Sequence, residues 1–266
     1  MKITQKMPSW EGVGAGQTAT CRLPVGLTYH KVFFSYAGVT LAQMKEIRVY
    51  VNAQTLIRVQ GGDTLDKLNQ FDGMAAAAGF LTIDFERFAL RTRVQQEATA
   101  LRTGDRTDKR PITSIRVEID IDAAASAPVL GVPKAVQSPA AVAGPLKILR
   151  TLTYSPSAAG DFEIADLPRV GDISRITFKH SGNLDGVKLT RDGFVTWERS
   201  EAENNLLLAD GIRVPQTNFF MLDTTEEGNG QEAIRMAGVQ DFRLTLDMAG
   251  ADTVELIIEY ISGLLA

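Results

Sequence analysis

IRVYVNAQTLIRVQGGDTLDKLNQFDG, residues 47–73, and FLTIDFER, residues 80–87, decide the fold. Ile47, Val49 and Val51 alternate with Arg48 and Tyr50, the period of a strand with one apolar face. Residues 55–59 continue in the same style. The character changes over residues 63–70, where Asp63 suits a helix N-cap and Leu65 and Leu68 share one helical face. Residues 80–85 return to alternation. Strands carry this region, and the helix is a short insert between them.

The pattern spreads in both directions. Residues 29–36, YHKVFFSY, are rich in aromatic and β-branched types. Residues 91–102 are compatible with a helix closed by Gly104. In residues 113–122 Ile115, Val117, Ile119 and Ile121 face one way while Arg116, Glu118, Asp120 and Asp122 face the other. Composition then shifts: Pro128, Pro133, Pro139 and Pro145 interrupt regular structure, and the stretch reads as a connector between domains. Beyond it, strand patterns recur at 173–180, 186–190, 194–199, 218–222, 241–248 and 253–261. A helix-compatible piece falls at 200–210 and a short helical signal at 231–236. Gln96-Glu97-Ala98 before Gly104 is echoed by Gln231-Glu232-Ala233 before Gly238, and the element order around each is shared. That echo implies two copies of one strand-rich unit.

Strands with one apolar face must bury it against a second sheet, and there is no regular βαβ alternation. The class is all-β, with short helices in inter-strand loops. Patterning alone leaves jelly-roll and immunoglobulin-like topologies both open. A length of 266 residues suits about two domains. A formal net charge of -4 argues against coating nucleic acid, which needs clustered Lys and Arg to displace counterions. No run approaches the roughly 18 apolar residues of a spanning helix. MKITQKMPSWEGVGAGQT lacks the apolar core of a secretory signal, so synthesis as a soluble chain in a cytoplasm is expected.

The run 47–73 followed by 80–87 resembles the major capsid proteins of corticovirus-like, P2-type tailless bacteriophages with an internal membrane. Val51-Asn52, the Leu65 to Asn69 helix core, Ile83-Asp84-Phe85 and the closing strands RVEIDID (116–122) and VELIIEYI (254–261) carry the resemblance. It extends from about residue 28 to the end and leaves the stretch through Pro24 uncovered. It implies two tandem jelly-roll β-barrels, a double jelly roll, standing perpendicular to a capsid surface. It implies a homotrimer that is pseudo-hexagonal, trimers tiling an icosahedral shell over a lipid vesicle, and virion partners such as penton and membrane proteins. On this basis residues 1–24 are expected to be an N-terminal arm, 25–122 the first jelly roll, 123–146 a Pro/Ala-rich connector and 147–266 the second jelly roll. The arm, polar and Gly-rich, is expected to be mobile in an isolated subunit. Function then lies in assembly surfaces, with no enzyme activity; the alternative is a receptor- or carbohydrate-binding β-sandwich of a phage spike.

Catalytic constellations read as structural. Cys21 is a lone thiol. Gly12, Gly14 and Gly16 lack the Lys-Ser/Thr and the flanking strand of a phosphate loop. Asp84 with Glu86, Asp120 with Asp122, and the acids Asp247 and Glu255 read as solvated strand faces rather than paired catalytic carboxylates. His30 and His180 have no identifiable third partner, and Trp10 and Trp197 read as packing or interface aromatics. No cofactor is expected. The one metal the sequence admits is calcium in the acidic loop after residue 222, with Asp223, Glu226, Glu227 and Asn229 as ligands.

Overall fold

Alternation in the deciding stretch buries Ile47, Val49 and Val51, with Val59 opposite Ile47 on the next strand. The computed structural model describes residues 1–105, 107 and 111–263. The chain forms two units: Met1–Leu149 with the chain end from Ser262, and Arg150–Ile261.

The first unit runs β1 (Ile3–Lys6), β2 (Thr18–Leu23), β3 (Thr28–Ala37), β4 (Met44–Val51), β5 (Gln54–Gln60), α1 (Gly62–Phe71), β6 (Phe80–Asp84), α2 (Arg93–Gln96), β7 (Leu101–Arg102), β8 (Ile115–Ile121), β9 (Val129–Leu130) and β10 (Lys134–Ser138), then enters β11 (Leu146–Tyr154). One sheet has the order β5-β4-β8-β2 and the other β1-β10-β3-β6, with β7 and β9 also on β3. Cys21, Ile47, Val49, Val117 and Ile119 from the first sheet and Tyr29, Val32, Phe34 and Ile83 from the second are all buried. Helix α1 buries Leu65, Leu68 and Phe71, as its spacing predicts; Gly61 takes the N-cap position and Asp63 lies in the first turn.

The second unit continues with β12 (Gly160–Ile164), β13 (Asp172–Lys179), β14 (Leu184–Arg191), β15 (Phe194–Ser200), α3 (Glu201–Leu208), β16 (Phe219–Asp223), β17 (Phe242–Met248) and β18 (Val254–Ser262). Its sheets are β16-β13-β18, bordered by β11, and β12-β17-β14-β15. Phe178 and Phe220 meet edge to face at 6.0 Å between them. Ser200 caps α3 through a capping box with Glu203.

The chain departs from the expected layout in four places. The expected free arm, 1–24, is integral: β1 pairs with β10, β2 pairs with β8, and Met7 is buried. Trp10 packs edge to face on Phe34 at 5.1 Å and donates its ring N–H to the Gly131 carbonyl. The expected connector, 123–146, holds β9 and β10, both paired with β3, so the first unit reaches Leu149 rather than ending at 122. Pro133 and Pro139 flank β10 instead of interrupting it, a position where proline costs no ladder bond. The helix expected over 91–102 shrinks to α2 and a 3-10 turn at Glu97–Thr99. The one expected at 231–236 is absent; Ile234 instead bridges to Ile173.

Candidate functional site

β6 ends beside the N-terminal part of β3 and positions a buried polar cluster of the first unit. Asp84 pairs in register with Lys31, and Glu86 follows just beyond the strand. Both acids are buried, against the expectation of a solvated face. Glu86 Oε1 lies 2.6 Å from His30 Nδ1 and accepts from Lys2 Nζ at 2.7 Å. His30 Nε2 lies 2.8 Å from Ser138 Oγ on β10. Lys2 also reaches Glu97 at 3.1 Å, and Lys147 donates to the Glu86 carbonyl. Burial pushes the Glu86 carboxyl up, but hydrogen bonds from His30 and Lys2 outweigh it and hold it near pKa 2. Asp84 is different: burial raises it despite Lys147 and Lys31.

His30, Glu86 and Glu97 are the one group among the described residues whose ligand atoms converge as a metal site requires. The Lys2 ammonium already occupies the cation position between the two glutamates, so the cluster is a strand lock. It pins the first residues of the chain to the barrel. Sequence offered no signal for it, because its members lie at 2, 30, 86, 97, 138 and 147.

The proposed calcium loop does not assemble. Asp223 is buried; its Oδ2 accepts from Arg213 Nε at 2.6 Å and its Oδ1 from the Thr225 amide and hydroxyl. Glu226 holds Arg199 in a two-point pair at 2.6 and 2.8 Å. Glu227 is exposed, and Asn229 Oδ1 accepts from the Gln231 amide. Two arginines therefore take the charge a calcium ion would need. Arg213, with a 1% exposed side chain, also binds Asp210 at 2.8 Å and the carbonyls of Thr225 and Glu226.

Other sequence candidates are structural as well. Asp120 holds Arg48 at two points, and Asp122 pairs with Lys45 and caps the Ala124 amide. Cys21 donates to the Pro8 carbonyl at 3.3 Å, and burial pushes its thiol up to about 11, far from a nucleophile. His180 accepts from the Gly182 amide, and burial lowers its pKa. Gly12 and Gly16 take positive φ in the turn between β1 and β2, where a Cβ on Gly12 would sit 2.8 Å from the Thr18 carbonyl. Trp197 lies edge to face on Phe220 with Arg199 over its ring at 5.1 Å.

What remains exposed is surface chemistry. In the second unit every exposed large apolar residue among the described residues lies between 194 and 214. An open groove of about 510 Å³ beside β15 is lined by Asp161, Asp185, Glu198, Glu203 and Asp247 against Lys188 and Arg199. Among the described residues no helix is long and apolar enough to cross a membrane.

Residues 4–136 match the viral coat protein P2 N-terminal domain and residues 146–264 the viral coat protein P2 C-terminal domain. The chain belongs to the viral coat protein P2 family. The P2 match starts at residue 4, so the first strands are part of the family fold. The major capsid protein P2 of Pseudoalteromonas phage PM2 is 28% identical over 270 residues, covering 98% of this chain and 97% of the relative. The crystal structure of that P2 superposes with a TM-score of 0.90 at 27% identity, covering 98% and 97%. The STIV MCP gives 0.71 at 10% identity (98% and 97%) and the PBCV-1 virus capsid 0.67 at 8% (98% and 93%), likenesses of fold. The fold is therefore a double jelly roll, and the topology left open by patterning is settled. As a P2-family coat protein the chain is structural rather than enzymatic; its place is the virion shell and its partner is itself. The spike or lectin alternative has no support.

Proposed function

We propose that the coat unit is a homotrimer, pseudo-hexagonal in outline, and that such trimers tile an icosahedral shell over an internal membrane. One observation carries this: both barrels of the P2 fold lie in one chain. Three copies then present six barrels around one axis, and cyclic symmetry makes each contact heterologous, one barrel meeting a different barrel of the next copy. Penton and membrane proteins of the virion are the further partners, and the chain is made in the host cytoplasm before assembly. An obligate contact of this kind buries more than about 2,000 Å². Analytical ultracentrifugation of the purified chain tests it: a trimer that persists into the nanomolar range is expected. A folded chain that stays monomeric at micromolar concentration contradicts it.

A further inference from the structure

Six apolar side chains stand out of the second unit: Phe194, Val195, Leu206, Leu207, Ile212 and Val214. All fall in one stretch of 21 residues, positions 194–214, and Phe194 and Leu206 are 75% and 77% exposed. Phe194 and Val195 lie on β15, Leu206 and Leu207 on α3, and these two elements adjoin. Apolar exposure gathered on adjoining elements marks a surface that is covered in the working assembly, where scattered exposure needs no explanation. β15 is also the edge of its sheet, with its outward backbone groups free to meet another chain.

Charge says what covers it. The stretch carries Glu198, Glu201, Glu203 and Asp210 against Arg199 and Arg213. Arg199 is engaged by Glu226, and Arg213 by Asp223 and by Asp210 within the stretch, which leaves Glu198, Glu201 and Glu203. The charge facing outward is negative, and the groove beside β15 adds Asp161, Asp185 and Asp247 against Lys188. The partner must therefore be apolar and basic.

The first unit displays such a segment. Residues 88–94, FALRTRV, hold two arginines and no acid. Phe88, Arg91, Arg93 and Val94 are all exposed, Val94 at 82%. Arg93 pairs with Glu97 one turn on, an exposed contact weak enough to be exchanged.

We propose that the 194–214 face of one copy docks on the 88–94 segment of a second copy of this chain. This rests on the trimer reading and supplies its heterologous contact. Phe194, Leu206 and Leu207 bury against Phe88 and Val94, while Glu198 and Glu203 meet Arg91 and Arg93. The contact steers association through charge and holds it through apolar burial.

The test joins sedimentation with cross-linking on the full chain. Reversal of one side, E198R with E203R, is expected to raise the dissociation midpoint at least about tenfold. R91E with R93E is expected to do the same, and the fourfold variant to recover most of the loss. Independently, V94C with L206C plus a short bismaleimide should give a ladder of linked chains on a denaturing gel, with neither single variant doing so. Cys21 is buried and does not compete. Far-UV circular dichroism confirms that each variant is folded. A wild-type trimer with no ladder, and no response to charge reversal, overturns this contact and leaves the trimer standing; such a face belongs to another virion component. A wild-type monomer with no ladder removes both.

Discussion

The turn at Asn52–Ala53 in the first barrel and the turn at Asp192–Gly193 in the second solve one local problem, yet the barrels around them carry different additions. Both turns place two residues at positive φ, 50° and 66° in the first, 49° and 83° in the second. This backbone matches the twist of a tight hairpin. Both use the first turn residue to anchor a third strand. Asn52 Oδ1 accepts from the Thr113 and Ser114 amides ahead of β8, and Asp192 Oδ1 accepts from the Gln240 and Asp241 amides ahead of β17. The other sheet is also closed alike in both, by the first and last strands of the unit: β1 beside β10 in the first barrel, β11 beside β18 in the second. The barrels part in what is added to that frame: β7 and β9 extend β3 in the first, and among the described residues no such strand joins β13. The lesson is that the frame of each barrel is shared, while the short strands and ion pairs laid on it differ.

Four experiments press on that contrast. The largest effect belongs to Arg213, the buried cation of the second barrel. R213A leaves Asp223 buried without its partner and is expected to cost about 3–5 kcal/mol, read as a fall in the denaturant midpoint. Coupling it with D223N should return part of the loss; no recovery would mean that packing, not charge, matters there. Next, deletion of residues 1–7 removes β1, the buried Met7 and the Lys2 lock. A loss of about 2–4 kcal/mol is expected in the first barrel, with the second barrel's hydrogen-exchange protection unchanged. A neutral deletion would restore the free arm and show that this end strand is dispensable to the first barrel.

The third is a pH effect confined to the first barrel's lock. Glu86 has a folded pKa near 2, lowered from 4.5, so its contribution is complete above about pH 4.5 and is lost as pH falls toward 2. Asp84 acts in the opposite sense: its folded pKa is raised, so it costs stability as pH rises through the carboxylate range. E86Q should flatten the acid limb of thermal stability, whereas D84N should leave that limb in place and relieve the cost at neutral pH. An unaltered acid limb in E86Q would assign acid sensitivity elsewhere. The smallest effect sits in the turns themselves. Ala53 holds φ 66°, where glycine is at ease, so A53G should stabilise by roughly 0.5–1 kcal/mol. G193A should destabilise by a similar amount, although no atom crowds its Cβ site. Equal and opposite shifts in the two melting curves would confirm that the turns are the same device.

Much of this fold was legible. β4, β5, β8, β17 and β18 announce themselves by alternation, and α1 by Leu65 and Leu68, because each buries one face and that requirement writes a period into the chain. The strands that escaped are those whose identity is set by distant pairing. KAVQS at β10 and ITQK at β1 are short and polar outward, and become strands only because β3 offers β10 an edge and β10 offers one to β1. β11 and β12 went unseen for a related reason: the first emerges from a proline-rich stretch, and the second is largely exposed. The acidic loop was misjudged because sequence shows the carboxylates of Asp223 and Glu226 but not Arg213 and Arg199 folding back onto them. Asp84 and Glu86 were placed in water because alternation tells which residues share a face and not which face is dry.

The β1–β10 pairing also sets a timetable for synthesis. Ile3 meets Gln137, so the first strand leaves the ribosome long before its mate is translated. At ribosomal rates of about 5–20 residues per second, that wait lasts on the order of ten seconds. Over that interval β1 is an unpaired strand, and Lys2 has no complete lock to enter until β10 and Lys147 arrive. The first barrel therefore closes in one late step, and its closing coincides with the emergence of the chain that begins the second.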